Sequence, residues 1–386
     1  MSLSVIHSFP VWLPQTQTWL YQQVRFLPDT ITSHIVCKET EHLDQFHLPN
    51  IHALSGASSY LSRLSTRLLR HIDYHLYVRL MCRRLAPDIV HSHFGSVGWK
   101  NHLVMQLPAS SRIRKIKRVV TFYGQDVDYL PRINPAWNKR YRDMFGHIDM
   151  VLCEGPFMAG KVKALGCPAD RIRVHHLGVD LDSISFQQRK KQKDEPFRVL
   201  MAAALRPKKG FIYGLRALEQ VASRYDLEVT LVGDATGDAE SIREKERIIQ
   251  FLKTSPLSNK VKMTGFMSAG QLMETAGKHH IYLAPSVTAD AGDSEGGAPI
   301  SLIEMAASGM PVISSHHCDI PGVIKDGESG YLAEERDTEG IAKCLQKLMA
   351  HPESWTDMTI NARKHIENHF DARKQGIALS KLYEMI

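Results

Sequence analysis

The stretch "DSEGGAPISLIEMAASGMPVISS", Asp293 to Ser315, sets two carboxylates, Glu295 and Glu304, on either side of a turn of small residues. Gly296 and Gly297 let the backbone bend sharply and approach a bulky group, and Pro299 suits the first helical position because it has no N–H to leave unpaired. A helix is therefore predicted from Pro299, stopped by Gly309 with Pro311 just beyond. "VISS" then reads as a buried strand of β-branched residues. The unpaired amides and positive dipole end of such a helix make an anion site suited to phosphate. Two acids beside a phosphate site make sense if they bind hydroxyls next to the phosphates. The plain alternative is a capping glutamate and a solvated one on an ordinary surface turn, and the stretch alone leaves both open.

The same alternation extends outward through all 386 residues. Strands are expected at "LSVIHSF", "SHIVC", "DIVHSHF", "RVVTFYG", "DMVLCEG" and "IRVHHLG", then at "RVLMAAA", "EVTLVGD", "VKMTGF", "IYLAPS" and "PVISS". Helices fall between most of them, near 58–85, 156–165, 210–224, 240–253 and 269–277. Such βαβα order predicts parallel sheets covered by helices on both faces, with ligands at the carboxyl ends of the strands. The polar segment "SFQQRKKQKDEPF" reads as a junction between two domains, 1–188 and 189–365, with a helix over about 366–386 returning to the first.

Composition narrows the function classes. A content of 43% hydrophobic and 23% charged residues is that of an ordinary globular protein. No basic-then-apolar leader and no long apolar run appear, so a cytoplasmic protein is expected. The six cysteines form no C-x-x-C pair, which argues against a zinc knuckle or a disulfide framework. Charge is uneven: residues 1–185 hold 22 Lys and Arg against 14 Asp and Glu, and the rest is nearly balanced. Part of that excess lies in "SRLSTRLLRHIDYHLYVRLMCRRL". There Leu61, Leu64, Leu68, Ile72, Leu76 and Leu80 recur at helical spacing and Arg63, Arg67 and Arg70 mark another face; "RIRKIKR" adds a second cluster. Either this is a core-facing helix with solvated arginines, or it docks on anionic lipid or a phosphate-bearing substrate. Nucleic acid is not expected, because no aromatic-interleaved basic strand accompanies the charge.

Single motifs settle less than their combination. "LRPKKG" places Arg206, Lys208 and Lys209 before a glycine that opens a helix, a setting for a diphosphate or merely a charged turn. "GPFMAGKV" approaches a P-loop, but Val162 has no hydroxyl for magnesium and Pro156 removes an amide. The histidine doublets lack metal-site spacing, although a period of two puts His91 and His93 on one side of a strand end. No G-x-S-x-G or G-x-G-x-x-G occurs, so hydrolase and dehydrogenase readings lack their markers.

Taken in order, "RPKKG", "LVGD", "VKMTGF", "SEGGAPISLIE" and "GMPVISS…IPGVIKDGESGYL" resemble the retaining family 4 glycosyltransferases of GT-B fold. "SFPVWLPQTQTWLYQQV", "DIVHSHFG", "VVTFYGQDV" and "DRIRVHHLGVD" are similar to bacterial polysaccharide and lipopolysaccharide members. The resemblance implies two Rossmann-like doubly wound domains facing across a cleft, the first for acceptor and the second for a nucleotide-sugar donor. It implies Lys209 and Arg206 as diphosphate cations and Glu304 as the ribose ligand. Gly296, Gly297, Ala298, Pro299 and Ile300 become the cradle for phosphate and sugar, with Gly233 and Gly265 also on the donor side. Glu295 and His93 become catalytic candidates, and Tyr123, Asp126 and Gln17 acceptor-side candidates. No metal or other cofactor is implied. A UDP- or GDP-sugar is the expected donor and a saccharide, membrane-held or lipid-linked, the expected acceptor, at the inner face of the cytoplasmic membrane. The chain departs from the family at three points: eight residues rather than seven separate Glu295 from Glu304, Tyr123 replaces the usual histidine, and Ala204 replaces an arginine. Two rival readings are an epimerase of the same fold and a non-catalytic nucleotide- or sugar-binding protein.

Overall fold

In the computed structural model, which describes residues 2–14, 17–44, 46–55, 73–108 and 111–386, every pairing between named strands is parallel. The first sheet comprises β1 (Leu3–Trp12), β2 (Ile31–Thr40), β3 (Ile51–Ala53), β4 (Ile89–His93), β5 (Lys117–Thr121), β6 (Met150–Cys153) and β7 (Ile172–Val174), in the order β3-β2-β1-β4-β5-β6-β7. The second comprises β8 (Phe197–Ala202), β9 (Leu227–Val232), β10 (Val261–Met263), β11 (Ile281–Leu283), β12 (Val312–Ser315) and β13 (Tyr331–Ala333), in the order β10-β9-β8-β11-β12-β13. Both are doubly wound sheets whose strand order reverses beside the first strand, which places a topological switch between β1 and β4 and another between β8 and β11. The expected strands all form. β3 and β13 were not anticipated; each is three residues long at a sheet edge, as are β7 and β10, which were.

The chain forms two compact units, Met1–Gly178 with Ala372–Ile386, and Val179–Asp371. It thus leaves the first unit before the polar segment read as the junction at 188. That segment is used inside the second unit: the Gln187 amide bonds the Ser308 carbonyl at 3.0 Å, and buried Arg189 reaches the Ser308 hydroxyl at 3.3 Å. The helix read over 366–386 is also two helices. Trp355–His369 packs Ala362 and Ile366 into the second core, and Ala372–Glu384 packs Leu379 and Tyr383 against Val5, Ile89, Val119 and Leu152 in the first. Gly178 allows the return, because a Cβ there would collide with the Ala372 backbone.

The long basic helix is corrected. Residues 56–72, with Arg63, Arg67 and Arg70, lie outside the described residues, and the described helix is Tyr74–Leu85. Asp73 has an extended ψ of 130° and its carboxylate accepts the His75 amide at 2.8 Å, an N-cap that starts a helix rather than continuing one. The two described members of the leucine row, Leu76 and Leu80, are 43% and 53% exposed, while Tyr74, Tyr77, Val78, Met81 and Cys82 fill the core. Among the described residues no helix is long and apolar enough to cross a membrane.

Candidate active site

At the switch of the second sheet, the chain leaves β8 and turns through Pro207–Lys209 into the helix Phe211–Val221. Gly210 makes that turn at φ +65°, and a Cβ there would run into the Pro285 carbonyl, so the turn lies directly against the loop that follows β11. Two lysines reach across. Lys209 Nζ meets Glu295 Oε2 at 2.8 Å, and Lys208 Nζ meets Asp293 Oδ1 at 3.1 Å and the Ser294 carbonyl at 2.8 Å. Ser286 donates to the other Glu295 oxygen at 2.7 Å. Burial alone would push the Glu295 carboxyl up; the charges of Lys209 and then Lys208 outweigh it and hold the pKa at about 2.

The opening stretch folds nearly as read. Gly296 turns at φ +77°, but Pro299 keeps an extended ψ of 132°, so it is the N-cap and the helix begins one residue later, as Ile300–Ala307. No side chain caps it, which leaves its first amides open. It ends as expected: Gly309 has φ +83°, with Gly309 N to Ala306 O at 3.4 Å and Met310 N to Met305 O at 3.3 Å, a Schellman stop. The hollow at the head of this helix is lined by Ala202, Ala203, Lys209, Tyr282, Ser286, Pro299 and Ser301. Tyr282 donates to the Ala202 carbonyl at 3.0 Å and pairs with Ser301 Oγ at 2.9 Å; the charges of Glu304 and Glu295 both act on it. Glu304 has no ion-pair partner among the described residues, and burial pushes its pKa up to about 7.

Two glycines follow the neighbouring strands β9 and β10. Gly233, at φ +131° after β9, would drive a Cβ into the Ala203 carbonyl, and its amide bonds the Gly265 carbonyl at 2.8 Å. Arg206 stands apart from the pair: it bonds Asp238 at 2.6 Å and Thr236 at 3.2 Å, beyond β9. In this arrangement Arg206 is paired with Asp238, and the Glu295 carboxylate with Lys209.

The first unit holds its candidates differently. His93 is fully buried, with Nδ1 on the Tyr123 hydroxyl at 2.8 Å and Nε2 on His7 Nδ1 at 3.1 Å, so neither nitrogen is left for a substrate in this arrangement. His91 stacks on it at 4.1 Å and bonds Tyr383 and Thr121 at 2.7 and 2.6 Å, confirming that both rings share one side of β4. One nitrogen each of His7, His91 and His93 lies within 4.8 Å of the others. Burial lowers the pKa of His7 to about 3 and drives those of His91 and His93 well down, so the rings are neutral. Asp126 proves to be a helix cap: its buried carboxylate accepts amides of Gly95 and Ser96 at the start of the helix Gly95–Met105, and that of Tyr123. Burial nonetheless raises its pKa to about 7. Gln17 precedes the helix Thr18–Arg25 without capping it. In the near-P-loop stretch, Lys161 pairs with Asp128 at 2.9 Å.

Sequence reasoning missed the pairing of Lys208 with Asp293, and it missed Ser286 and the pair His317 and Glu335. The His317 ring accepts the Glu295 amide at 3.1 Å through Nε2 and bonds Glu335 at 2.6 Å through Nδ1. The one visible signal was the His316–His317 doublet, read only for metal spacing.

Known proteins agree with this architecture. Residues 183–365 match the family model "Glycosyl transferases group 1" and residues 16–183 match "Glycosyltransferase Family 4". The amylovoran biosynthesis glycosyltransferase AmsK of Erwinia amylovora is 30% identical over 304 residues, covering 78% of this chain and 70% of its own. The putative colanic acid biosynthesis glycosyltransferase WcaL of Escherichia coli is 26% identical over 324 residues, 81% of this chain and 75% of its own. Among solved structures, Anabaena HepE, crystallised with UDP-glucose, superposes with a TM-score of 0.78 over 100% of both chains at 14% identity, and a Rickettsia africae glycosyltransferase with 0.77 over 100% and 98% at 16%. Two doubly wound parallel sheets, both family models in chain order and a 30% identical relative together place the chain in glycosyltransferase family 4, with the GT-B fold.

Proposed function

We propose that this glycosyltransferase moves a sugar from a UDP- or GDP-sugar to a saccharide acceptor, with retention at the anomeric carbon, in the assembly of a cell-surface polysaccharide. The observation that carries the reading is the Lys209–Glu295 pair at 2.8 Å beside the uncapped start of the helix Ile300–Ala307. A diphosphate arriving there takes Lys209 and the open amides and releases Glu295 to the sugar hydroxyls, while Glu304 takes those of the ribose. Arg206 joins the diphosphate by leaving Asp238. The leaving diphosphate is stabilised by these fixed charges rather than by a metal, and its oxygen accepts the proton of the acceptor hydroxyl, which attacks from the same face. Support for the donor class comes from HepE with UDP-glucose, and for the pathway class from the names of the Erwinia and Escherichia relatives.

The basic first unit binds the acceptor, with Gln17, Tyr123 and the segment around Asp126 on that side. His93 acts through Tyr123 as a positioning group. A lipid-linked acceptor at the inner face of the membrane fits the excess of Lys and Arg in residues 1–185. Thermal shift with UDP, GDP, ADP and ATP tests the donor site: at about 100 times its dissociation constant a ligand adds about 2.7 kcal/mol, so UDP or GDP alone should raise the melting temperature. The anomeric configuration of the product by NMR tests retention, and an inverted product overturns it. A bound nucleotide sugar that is never transferred to any acceptor overturns the transferase mechanism.

A further inference from the structure

Behind the acidic loop of the second unit, three side chains stand in series. Glu335 is oriented by the Thr288 amide at 2.7 Å and the Thr288 hydroxyl at 3.3 Å, and meets His317 Nδ1 at 2.6 Å. His317 is buried, at 1% exposure. Because the Glu295 amide can only donate, His317 Nε2 is an acceptor and Nδ1 carries the ring proton, given to Glu335. Nε2 also faces Cys318 Sγ at 3.1 Å. A thiol, an accepting imidazole and an orienting carboxylate make the arrangement that activates a nucleophile, recognised by geometry rather than by chain order.

Two further features single out this thiol. Of the six cysteines, Cys318 alone is not buried. It also adopts φ +49°, a left-handed conformation that residues other than glycine rarely take. The backbone holds it there: the His316 amide is bonded to Ala333 at 2.8 Å and the Ile320 amide to His317 at 3.0 Å. Strain kept in this way collects at functional positions.

We propose that Cys318, His317 and Glu335 form a reactive-thiol site, modified by small soft electrophiles and coupled to the donor loop through the Glu295 amide. The thiol proton passes to the one lone pair of His317 Nε2, which gives up the Glu295 amide as it takes the proton, and the imidazolium is held by the Glu335 carboxylate. The thiolate sulfur then attacks the electrophilic carbon; with a haloacetamide, the sulfur–carbon bond forms as the carbon–halogen bond breaks and halide leaves. Sulfur lies 3.1 Å from the nitrogen that accepts the Glu295 amide, so a group added to it must press into that contact and loosen the loop. The coupling rests on the proposed donor site; the reactivity does not.

The test is the rate of iodoacetamide labelling at neutral pH, followed by intact mass and mapped by peptide. The wild-type chain should label first at Cys318, and His317→Gln and Glu335→Gln should each slow that site about tenfold at an unchanged circular dichroism spectrum. Cys318→Ser should remove the fast phase. Equal rates at Cys318 in wild type and both variants overturn the activation. Should His317→Gln fail to fold, Glu335→Gln and the pH profile of wild-type labelling still decide, since an activated thiol reacts at a lower pH than an ordinary one. For the coupling, labelled wild-type protein should bind UDP about tenfold more weakly than unlabelled; equal affinity overturns it. If unlabelled protein binds neither UDP nor GDP, the donor reading fails while the labelling rates still judge the thiol.

Discussion

The two sheets share a strand order, yet their switch points are filled in opposite ways. At the β1/β4 switch, His7, His91 and His93 are neutral rings bonded to one another and to Tyr123, Tyr383 and Thr121. At the β8/β11 switch, Lys209 and Lys208 face Glu295 and Asp293 as ion pairs beside a hollow. A neutral network of rings, in which only His7 Nε2 lacks a partner, holds no charge to exchange for an anion. Charges that merely neutralise each other can be exchanged for a charged ligand, because the ligand replaces the partner. Topology therefore marks where a site can form, and the chemistry of the side chains decides which switch is ready for phosphate.

The largest expected effect comes from breaking the charged switch. Lys209→Ala leaves the Glu295 carboxylate, 6% exposed, without its nearest cation, and should cost about 3 kcal/mol of stability as well as UDP affinity. Lys209→Ala with Glu295→Gln should regain most of the stability and none of the affinity. Chemical denaturation and calorimetric titration read the two, and full recovery of UDP binding in the double variant would remove Lys209 from the donor site.

A second contrast is in pH, between buried histidines and a buried carboxyl, whose signs are opposite. The unfolded chain protonates histidine below about 6.5 and the folded chain does not, since burial holds His7 at about 3 and His175 at about 4; first-unit stability is lost as pH falls from 6.5. Glu304 runs the other way. Folded, it keeps its proton up to about 7, whereas unfolded it releases it near 4.5, so its contribution is lost as pH rises between those values, on the order of 3 kcal/mol. Above pH 6.5, where the histidines no longer titrate, urea unfolding to pH 8 should therefore show a fall towards the alkaline side, shared with Asp126, that Glu304→Gln reduces. Identical curves for wild type and Glu304→Gln would mean that the carboxyl is not held neutral. Glu295, held at about 2, loses its contribution only below 4.5 and does not obscure this window.

The smallest effect concerns where a helix starts. Asp73→Ala removes an N-cap and should cost about 1 kcal/mol, measured by denaturation. A gain in stability would favour the continuous helix through 73 that the leucine and arginine spacing describes.

Eleven strands, the glycine stop at Gly309 and the acidic turn could be read from the chain because each is written in neighbouring residues. Of the four three-residue edge strands, β7 and β10 were read and β3 and β13 were missed, since so few residues carry little pattern and these form where a partner strand waits. Asp126 was an acceptor-side candidate by resemblance; that its carboxylate also caps the helix Gly95–Met105 could be seen only once that helix was placed. The leucine row misled for a related reason: a helix with apolar residues on two faces buries the one its neighbours meet, and here that is the face of Tyr77, Val78 and Met81.

By itself the sequence determined the class of fold, the order of its elements and the acidic loop with its phosphate-ready helix, all properties of local spacing and residue type. Tertiary structure alone decided which charge meets which. Lys209 and Glu295 are 86 residues apart, His7 and His93 also 86, and no spacing rule joins them. They meet because parallel strands bring the ends of distant segments to one edge, and burial there makes each pairing strong enough to set charge, tautomer and conformation.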